Sequence, residues 1–277
     1  MMTLLDTLNQ RKLSAVFQPI VDFSGGSFLG FEGLIRGPAD SELHAPVNLF
    51  AAARLQDLAL ETEMLSRQIV LESFATQELP GKLFLNVSPD TLTHPSFRHA
   101  QTPAYLEYLG IDPQDVVIEI TEGRPVCDFA VMRNAARHYR SMGFQIAIDD
   151  LGEGFASLRL WSELRPEFVK IDRHFVQGVN INPLKQQFLK SIQNIAQCSG
   201  SQVIAEGIET AAEFEAIRDC GIACGQGNFI AHPAPFPPVA APAEIGRLVK
   251  RQYSARSLAE RCGLHEFTPY EVAHIYY

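Results

Sequence analysis

The feature that most constrains the fold is a polar residue that recurs directly after each of seven short apolar runs. The runs are rich in Val, Ile, Leu and Phe, which is typical of strands buried on both faces. Nothing in such a strand requires a charged or amide side chain at its end. The residues that follow the seven runs are Glu32, Asn86, Glu119, Asp149 with Asp150, Lys170, Glu206 and Gln226.

Between these polar residues there is enough chain for one crossover helix each. Strands that alternate with helices and carry polar residues at one end indicate an α/β fold, a modified (β/α)8 TIM-like barrel whose site lies at the C-terminal face of the strands. The length of 277 residues suits one barrel of roughly 250 residues with a short extension. We therefore expect one barrel domain rather than two domains.

The first two strands are expected to form a hairpin. Ala15–Asp22 is followed by Ser24-Gly25-Gly26, a turn sequence, so one strand of the barrel should be antiparallel. The proline-rich stretch His232–Pro242 predicts the end of the barrel, which we assign to residues 1–242. Residues 243–277 have helical patterning and are interpreted as an extension or a linker to a further domain.

Helical periodicity predicts the segments between the strands. The opening residues read as an amphipathic helix with Leu4, Leu5 and Leu8 on one side. The other predicted helices are Val47–Leu55, Glu61–Gln77, Pro103–Leu109, Phe129–Ser141, Pro183–Cys198 and Ala211–Asp219.

Charge and composition narrow the classes of partner and compartment. The net charge of −9 argues against binding to nucleic-acid polymers, although a small phosphorylated ligand held through cations remains compatible with it. No apolar run approaches the roughly 20 residues that cross a bilayer. The N-terminus lacks the pattern of a secretory signal, and the five cysteines form no CxxC pair. We expect a cytoplasmic protein with free thiols.

Five of the recurring polar residues offer oxygen ligands only, which is the preference of Mg²⁺ or Mn²⁺ rather than zinc. They are Glu32, Asn86, Glu119, Asp149 and Asp150. The adjacent carboxylates of Asp149 and Asp150 favour a pair of cations, and Lys170 is placed to orient a water or offset negative charge. Strand-end acids can also cap helices or pair with surface lysines, but five in register favour a metal site.

The same residues carry a family resemblance. The chain resembles EAL domains from about Phe17 to Pro233, and this implies a bacterial phosphodiesterase that converts cyclic di-GMP to linear pGpG with two Mg²⁺ or Mn²⁺ ions. The matching segments are FEGLIR (31–36), LNVS (85–88), IEITEG (118–123), IDDLGEGFASL (148–158), VKIDRHF (169–175), IAEGIET (204–210) and GQGNF (225–229).

The resemblance also implies roles for individual residues. The implied metal ligands are Glu32, Asn86, Glu119, Asp149 and Asp150. The residues implied in catalysis are Glu32, Lys170 and Glu206. The residues implied in contacts with the substrate are Arg36, Glu209 and Gln226. Glu122 resembles the glutamate that anchors the loop after the fifth strand, although an acid at that place can also simply begin a helix.

Departures from the family pattern bear on activity. Gly33 replaces the usual alanine, and Leu151 and Glu153 replace the usual Phe and Thr of the loop near the metals. Asn228 and His232 stand where an aromatic and a basic residue are usual. Because none of these changes removes a metal ligand, we expect catalysis.

There are two alternatives to catalysis. One is a receptor that binds cyclic di-GMP without cutting it, and the other is a scaffold that keeps only the barrel. A homodimer is expected by analogy with EAL domains.

Overall fold

The computed structural model describes residues 3–94, 101–120, 128–152 and 157–249. Within them, eight strands close into a barrel in chain order from β1 to β8, which confirms the predicted fold class. The strands are β1 (Ser14–Asp22), β2 (Ser27–Arg36), β3 (Lys82–Val87), β4 (Val116–Ile120), β5 (Gln145–Leu151), β6 (Phe168–Ile171), β7 (Gln202–Ala205) and β8 (Cys224–Gly225).

The helices lie between the strands and include all those that the sequence predicts. They are α1 (Leu4–Asn9), α2 (Pro46–Leu55), α3 (Ala59–Gln77), α4 (Pro89–Thr93), α5 (Gln101–Leu109), α6 (Phe129–Ser141), α7 (Ser157–Leu164), α8 (Arg173–Val176), α9 (Pro183–Ser199) and α10 (Ala211–Asp219). Short 3-10 turns occupy Glu42–His44, Pro113–Asp115 and Val179–Ile181. None of the helices in the described part of the chain is long and apolar enough to cross a membrane.

Strand β1 is the irregular member of the barrel. It pairs antiparallel with β2 on one side and with β8 on the other, while the remaining neighbours are parallel. The tight turn between Asp22 and Ser27 leaves no room for a crossover helix, so β1 and β2 must run in opposite directions. The predicted hairpin is confirmed.

Two apolar cores hold the barrel together. A small one fills the interior with side chains from seven strands: Ile20, Phe84, Val117, Ala147, Phe168, Ile204 and Cys224. The larger one lies between the outer face of the strands and the surrounding helices. Because both faces of the strands are buried, their sequences are almost continuously apolar, as expected for a parallel barrel.

Three details differ from the sequence-based expectations. Glu32 does not end its strand, because β2 continues to Arg36 as the hairpin partner of β1. Leu4 is buried in α1, but Leu5 is 51% exposed, so the apolar side of that helix is narrower than predicted. The strands that carry Asn86, Glu119, Asp149 and Lys170 also extend one or two residues beyond those side chains.

Residues 243–249 are helical and pack against the barrel. Ile245 and Val249 are buried, and Arg218 at the end of α10 donates a 3.0 Å hydrogen bond to the carbonyl of Leu248. The rest of the predicted extension, residues 250–277, lies outside the described residues.

Candidate functional site

The candidate site is a polar layer stacked directly on the apolar interior of the barrel. In six strands the site residue lies two positions after an interior apolar residue, since side chains of a strand alternate between its faces. The pairs are Phe84 and Asn86, Val117 and Glu119, Ala147 and Asp149, Phe168 and Lys170, Ile204 and Glu206, and Cys224 and Gln226. Strand β1 runs the other way, so its contribution, Gln18, lies two positions before Ile20.

Lys170 lies at the centre of this layer, and its side chain is 1% exposed. Its ammonium nitrogen is within ion-pair distance of four carboxylates: Glu206 Oε1 at 2.7 Å, Glu119 Oε1 at 2.8 Å, Asp149 Oδ1 at 3.1 Å and Glu32 Oε2 at 3.2 Å. We call these four residues with Asp150 the site carboxylates. One buried cation therefore faces more negative charge than it can neutralise.

The excess of carboxylates changes their pKa values. Burial, aided by the neighbouring carboxylates, raises the pKa of Glu119, Asp149 and Glu206 despite the attraction of Lys170. Burial by itself would lower the pKa of Lys170, but the carboxylates around it outweigh this effect and raise that pKa well above its ordinary value. These pKa shifts favour a charged Lys170 and oppose ionisation of the three buried carboxyls.

Glu32 is the exception among these acids. Burial alone would raise its pKa, but Lys170 and two amide donors outweigh burial and lower it. Asn86 Nδ2 donates to Glu32 Oε1 at 2.9 Å, and Gln226 Nε2 donates to Oε2 at 2.6 Å. Glu32 is therefore ionised and held in one orientation by residues from two other strands.

Gln18 belongs to this network, although the sequence analysis did not single it out. Its Oε1 lies 3.4 Å from Gln226 Nε2, and its own Nε2 donates to the carbonyl of Ala231 at 3.1 Å. In the β1–β2 register Gln18 is opposite Glu32. The signal that could have found it was a polar residue at an inward position of an otherwise apolar hairpin strand.

Asp149 and Asp150 both face the site because the strand is irregular between them. The β5–β6 register shifts between Ile148 and Leu151, and Asp150 has φ of +53°. Alternation in a regular strand would turn the second carboxylate away. Ligand atoms of Asp149, Asp150 and Glu206 instead lie within 4.8 Å of one another, a spacing that suits a metal ion.

The site has the chemistry of a centre for hard divalent cations. Glu119 is fully buried, and within the described residues its Oε2 accepts no hydrogen bond. A buried carboxylate oxygen without a donor costs free energy unless a proton or a cation occupies it. The donors around it are carboxylate and amide oxygens, which Mg²⁺ and Mn²⁺ prefer. The residues present therefore fit divalent cations.

An open cavity of about 350 Å³ leads from solvent to this layer. Its lining residues are Asp150, Asp172, Arg173, Glu206, Gly207 and Gln226. Asp172 and Arg173 lie two and three positions after Lys170 in the chain but were not singled out as site residues, because sequence spacing does not say which loop residues turn towards a cavity.

The other residues named from the sequence lie further out. Arg36 is half-buried at the end of β2, near Glu32, and its Nη1 donates to the carbonyl of Ile35 at 2.8 Å. Glu209 is exposed and accepts a 3.1 Å hydrogen bond from Gln177, so the structure does not bring it to Lys170.

Of the positions that depart from the family pattern, Asn228 and His232 are exposed, and Leu151 is buried in the outer core. Glu122 and Glu153 lie outside the described residues, so the proposed loop anchor has no structural description.

Comparisons with known proteins agree with this architecture. The family model described as "EAL domain" matches residues 1–233. An uncharacterized protein of Azorhizobium caulinodans is 28% identical over 241 residues, which are 82% of this chain and 32% of that protein. A cyclic di-GMP phosphodiesterase of Pseudomonas aeruginosa is 27% identical over 245 residues, which are 83% of this chain and 41% of that protein.

Among solved structures, Klebsiella pneumoniae BlrP1 in complex with calcium and cyclic di-GMP has a TM-score of 0.74 and 28% identity, over 80% of this chain and 56% of that one. The chain spans between about a third and two fifths of the length of the first curated relatives it matches. Since the family model covers most of its residues, the chain belongs to the EAL domain family.

Proposed function

We propose that this chain is a phosphodiesterase that hydrolyses cyclic di-GMP to linear pGpG with divalent cations. The observation that carries the proposal is the buried ammonium of Lys170 among four carboxylates at the mouth of the barrel. A domain that only bound the dinucleotide would have no use for a cation placed where a water must be oriented. The names of the relatives and structural neighbours support the same substrate.

The residues that would hold two Mg²⁺ or Mn²⁺ ions are Glu32, Asn86, Glu119, Asp149 and Asp150, with Glu206 beside the second ion. When bound, such cations lower the pKa of a water and stabilise the negative charge of the phosphoryl group. The raised pKa values of Glu119, Asp149 and Glu206 fit this role, because a cation replaces the protons that these acids otherwise hold.

The chain's own groups would perform the remaining tasks. Lys170 donates to the attacking water and keeps it in line with the phosphorus. Gln226 and Asn86 hold the carboxylate of Glu32 in one orientation, since each donates a hydrogen bond to one of its oxygens. Arg36, at the end of β2, offers a bidentate donor to a phosphate. The exposed Glu209 supports the loop after β7 through Gln177.

We further propose that residues 1–242 form the catalytic unit and that residues 243–277 connect it to another domain. The packing of residues 243–249 on the barrel supports an ordered start of this connection. A cytoplasmic location and a homodimer belong to the same proposal.

The test is formation of pGpG from cyclic di-GMP by the purified chain with and without Mg²⁺ or Mn²⁺. Product is expected only with the ions, and Glu32→Ala and Lys170→Ala should abolish it. Lys12→Ala, which changes an exposed lysine away from the site, is the matched control and should keep full activity. Tight binding of the dinucleotide without pGpG in either ion would instead establish a receptor.

A further inference from the structure

We propose that Arg173 binds a phosphate oxygen of the substrate at the mouth of the cavity. The proposal deepens the function proposed above and rests on it. Arg173 lines the cavity with Asp150, Glu206 and Gln226, three positions after Lys170. No role was assigned to it from the sequence.

The backbone of Arg173 is held firmly in place. Asp172 caps the N-terminus of helix α8: it is 6% exposed, and its Oδ1 accepts a 2.8 Å hydrogen bond from the amide of His174. The carbonyl of Arg173 accepts a 2.8 Å hydrogen bond from the amide of Gln177 at the end of that helix. Since α8 follows β6 without a linker, the position of Arg173 is tied to that of Lys170.

A glycine provides the space that brings Arg173 next to the site. Gly207, directly after Glu206, has φ of +67°. A Cβ atom at this position would collide with Cβ of Arg173 and lie 3.4 Å from its Cα. Any other residue at position 207 would therefore push Arg173 away from Glu206.

The guanidinium of Arg173 has no partner although acids surround it. It is exposed, and it forms no hydrogen bond or ion pair with any described residue. By contrast, Arg11 pairs with Glu72 and Arg140 pairs with Glu167, each at 2.8 Å. An unpaired cation that is anchored at the mouth of an acidic cavity is placed to meet an incoming anion.

The charges of a site that holds two divalent cations and the substrate also favour a cation at position 173. The site carboxylates carry five negative charges when ionised, and Lys170 with two divalent cations carries five positive charges. The two phosphodiesters of a cyclic dinucleotide bring two more negative charges. Arg36 and Arg173, from opposite parts of the barrel mouth, would each place a positive charge near these phosphodiesters.

The cavity favours a phosphate over a base as the partner of Arg173. Its lining contains no aromatic or large apolar side chain among the described residues. A base needs such a platform for stacking, whereas a phosphate needs a positive charge with N–H donors, which a guanidinium offers. The same geometry predicts that charge at position 173 matters more than planarity.

The experiment compares Arg173→Ala, Arg173→Lys and Arg173→Gln with His174→Ala, a matched control in the exposed part of the same short helix. We expect Arg173→Ala to raise KM for cyclic di-GMP by about 10- to 100-fold, the loss expected for a charge-assisted hydrogen bond, and to change kcat by less than about threefold. Arg173→Lys should restore most of the affinity, and Arg173→Gln should not. His174→Ala should match the parent chain.

Two further measurements do not depend on turnover. Mn²⁺ binding without nucleotide, followed by calorimetry, should be the same in Arg173→Ala as in the parent chain. The dissociation constant of pGpG should rise as KM does. If the chain proves not to cut cyclic di-GMP, the dissociation constant of that dinucleotide replaces KM, so failure of the phosphodiesterase proposal remains separate from failure of this contact.

Three results would overturn the contact. Dissociation constants within about twofold of the parent in Arg173→Ala would show that no substrate group reaches the guanidinium. Full affinity in Arg173→Gln with loss in Arg173→Lys would show stacking on a base. Loss of Mn²⁺ binding in Arg173→Ala would show that the residue only supports the metal site.

Discussion

Asp149 and Asp150 are neighbours in β5, yet their carboxylates come together with that of Glu206 because Asp150 has φ of +53°. The left-handed conformation is tolerated by Asp and Asn better than by other residues with a Cβ atom. The irregularity creates a group of acids with Glu206 that a regular strand would divide between its two faces.

Asp150→Asn should therefore separate charge from backbone geometry. Asn keeps the tolerance for positive φ, so the free energy of unfolding should stay within about 1 kcal/mol of the parent chain, whereas Asp150→Ala should lose roughly 1 kcal/mol more. Both variants should lose one of two Mn²⁺ ions, measured by titration with detection of free Mn²⁺. Two equally tight ions in Asp150→Asn would contradict the assignment of Asp150 as a ligand.

Lys170→Met should destabilise the metal-free protein. The substitution leaves four carboxylates facing one another without a cation, and loss of one partner from a buried ionic group costs about 3–5 kcal/mol. Added Mn²⁺ should stabilise this variant more than it stabilises the parent chain, because the ions replace the missing charge. Thermal unfolding with and without Mn²⁺ measures both effects, with Lys12→Met as the control. An unchanged melting temperature without metal would refute the central place of Lys170.

Glu119→Gln should leave the stability of the metal-free fold nearly unchanged but weaken metal binding. Burial already raises the pKa of Glu119, so a neutral amide of the same shape should change the free energy of unfolding without metal by no more than about 1 kcal/mol. Mn²⁺ affinity should fall by at least about tenfold, because an anionic ligand is lost. Denaturant unfolding and calorimetry are the two measurements. Unaltered Mn²⁺ affinity would exclude Glu119 as a ligand.

The raised carboxyl pKa values also predict how metal binding depends on pH. The folded, metal-free protein holds protons on Glu119, Asp149 and Glu206 above the pH at which the unfolded chain releases them. Their contribution to stability is therefore present at low pH and lost as pH rises through the folded pKa values. Glu32 acts in the opposite sense because its pKa is lowered in the folded state. It stabilises the fold at pH values above the pKa of the unfolded chain, and this contribution is lost as pH falls through the folded pKa.

Because cations displace the protons on the acids with raised pKa values, Mn²⁺ binding should release protons, more of them below those pKa values than above them, and affinity should rise as pH rises through them. Calorimetry in buffers of different ionisation enthalpy counts the protons. Glu119→Gln should release fewer of them. Proton uptake on binding would contradict the pKa directions.

Most of the barrel was predictable because strand burial leaves a strong trace in the sequence. Runs such as Val116–Ile120 are apolar on both faces only when helices cover the outside of a barrel. The polar residue at the end of each run then predicts the polar layer at the mouth of the barrel. The end of β2 was not predictable in this way, because the hairpin with β1 extends that strand beyond Glu32.

Gln18 and Arg173 were missed for a related reason. Gln18 becomes a site residue only through the register that places it opposite Glu32 and near Gln226. Arg173 becomes one only because Gly207, distant in the chain, leaves space for it beside Glu206. Neither relationship has a local pattern in the sequence.

The sequence by itself determined which polar residues form the layer around Lys170 and which strands lead to them, because alternation along a strand decides which side chains face inward. Only the tertiary structure decided that one ammonium, Lys170, lies within 3.2 Å of four carboxylates and that Asp150 turns to join them. The physical reason is that charge balance and cavity shape depend on distances between strands, and these distances exist only when the barrel has closed.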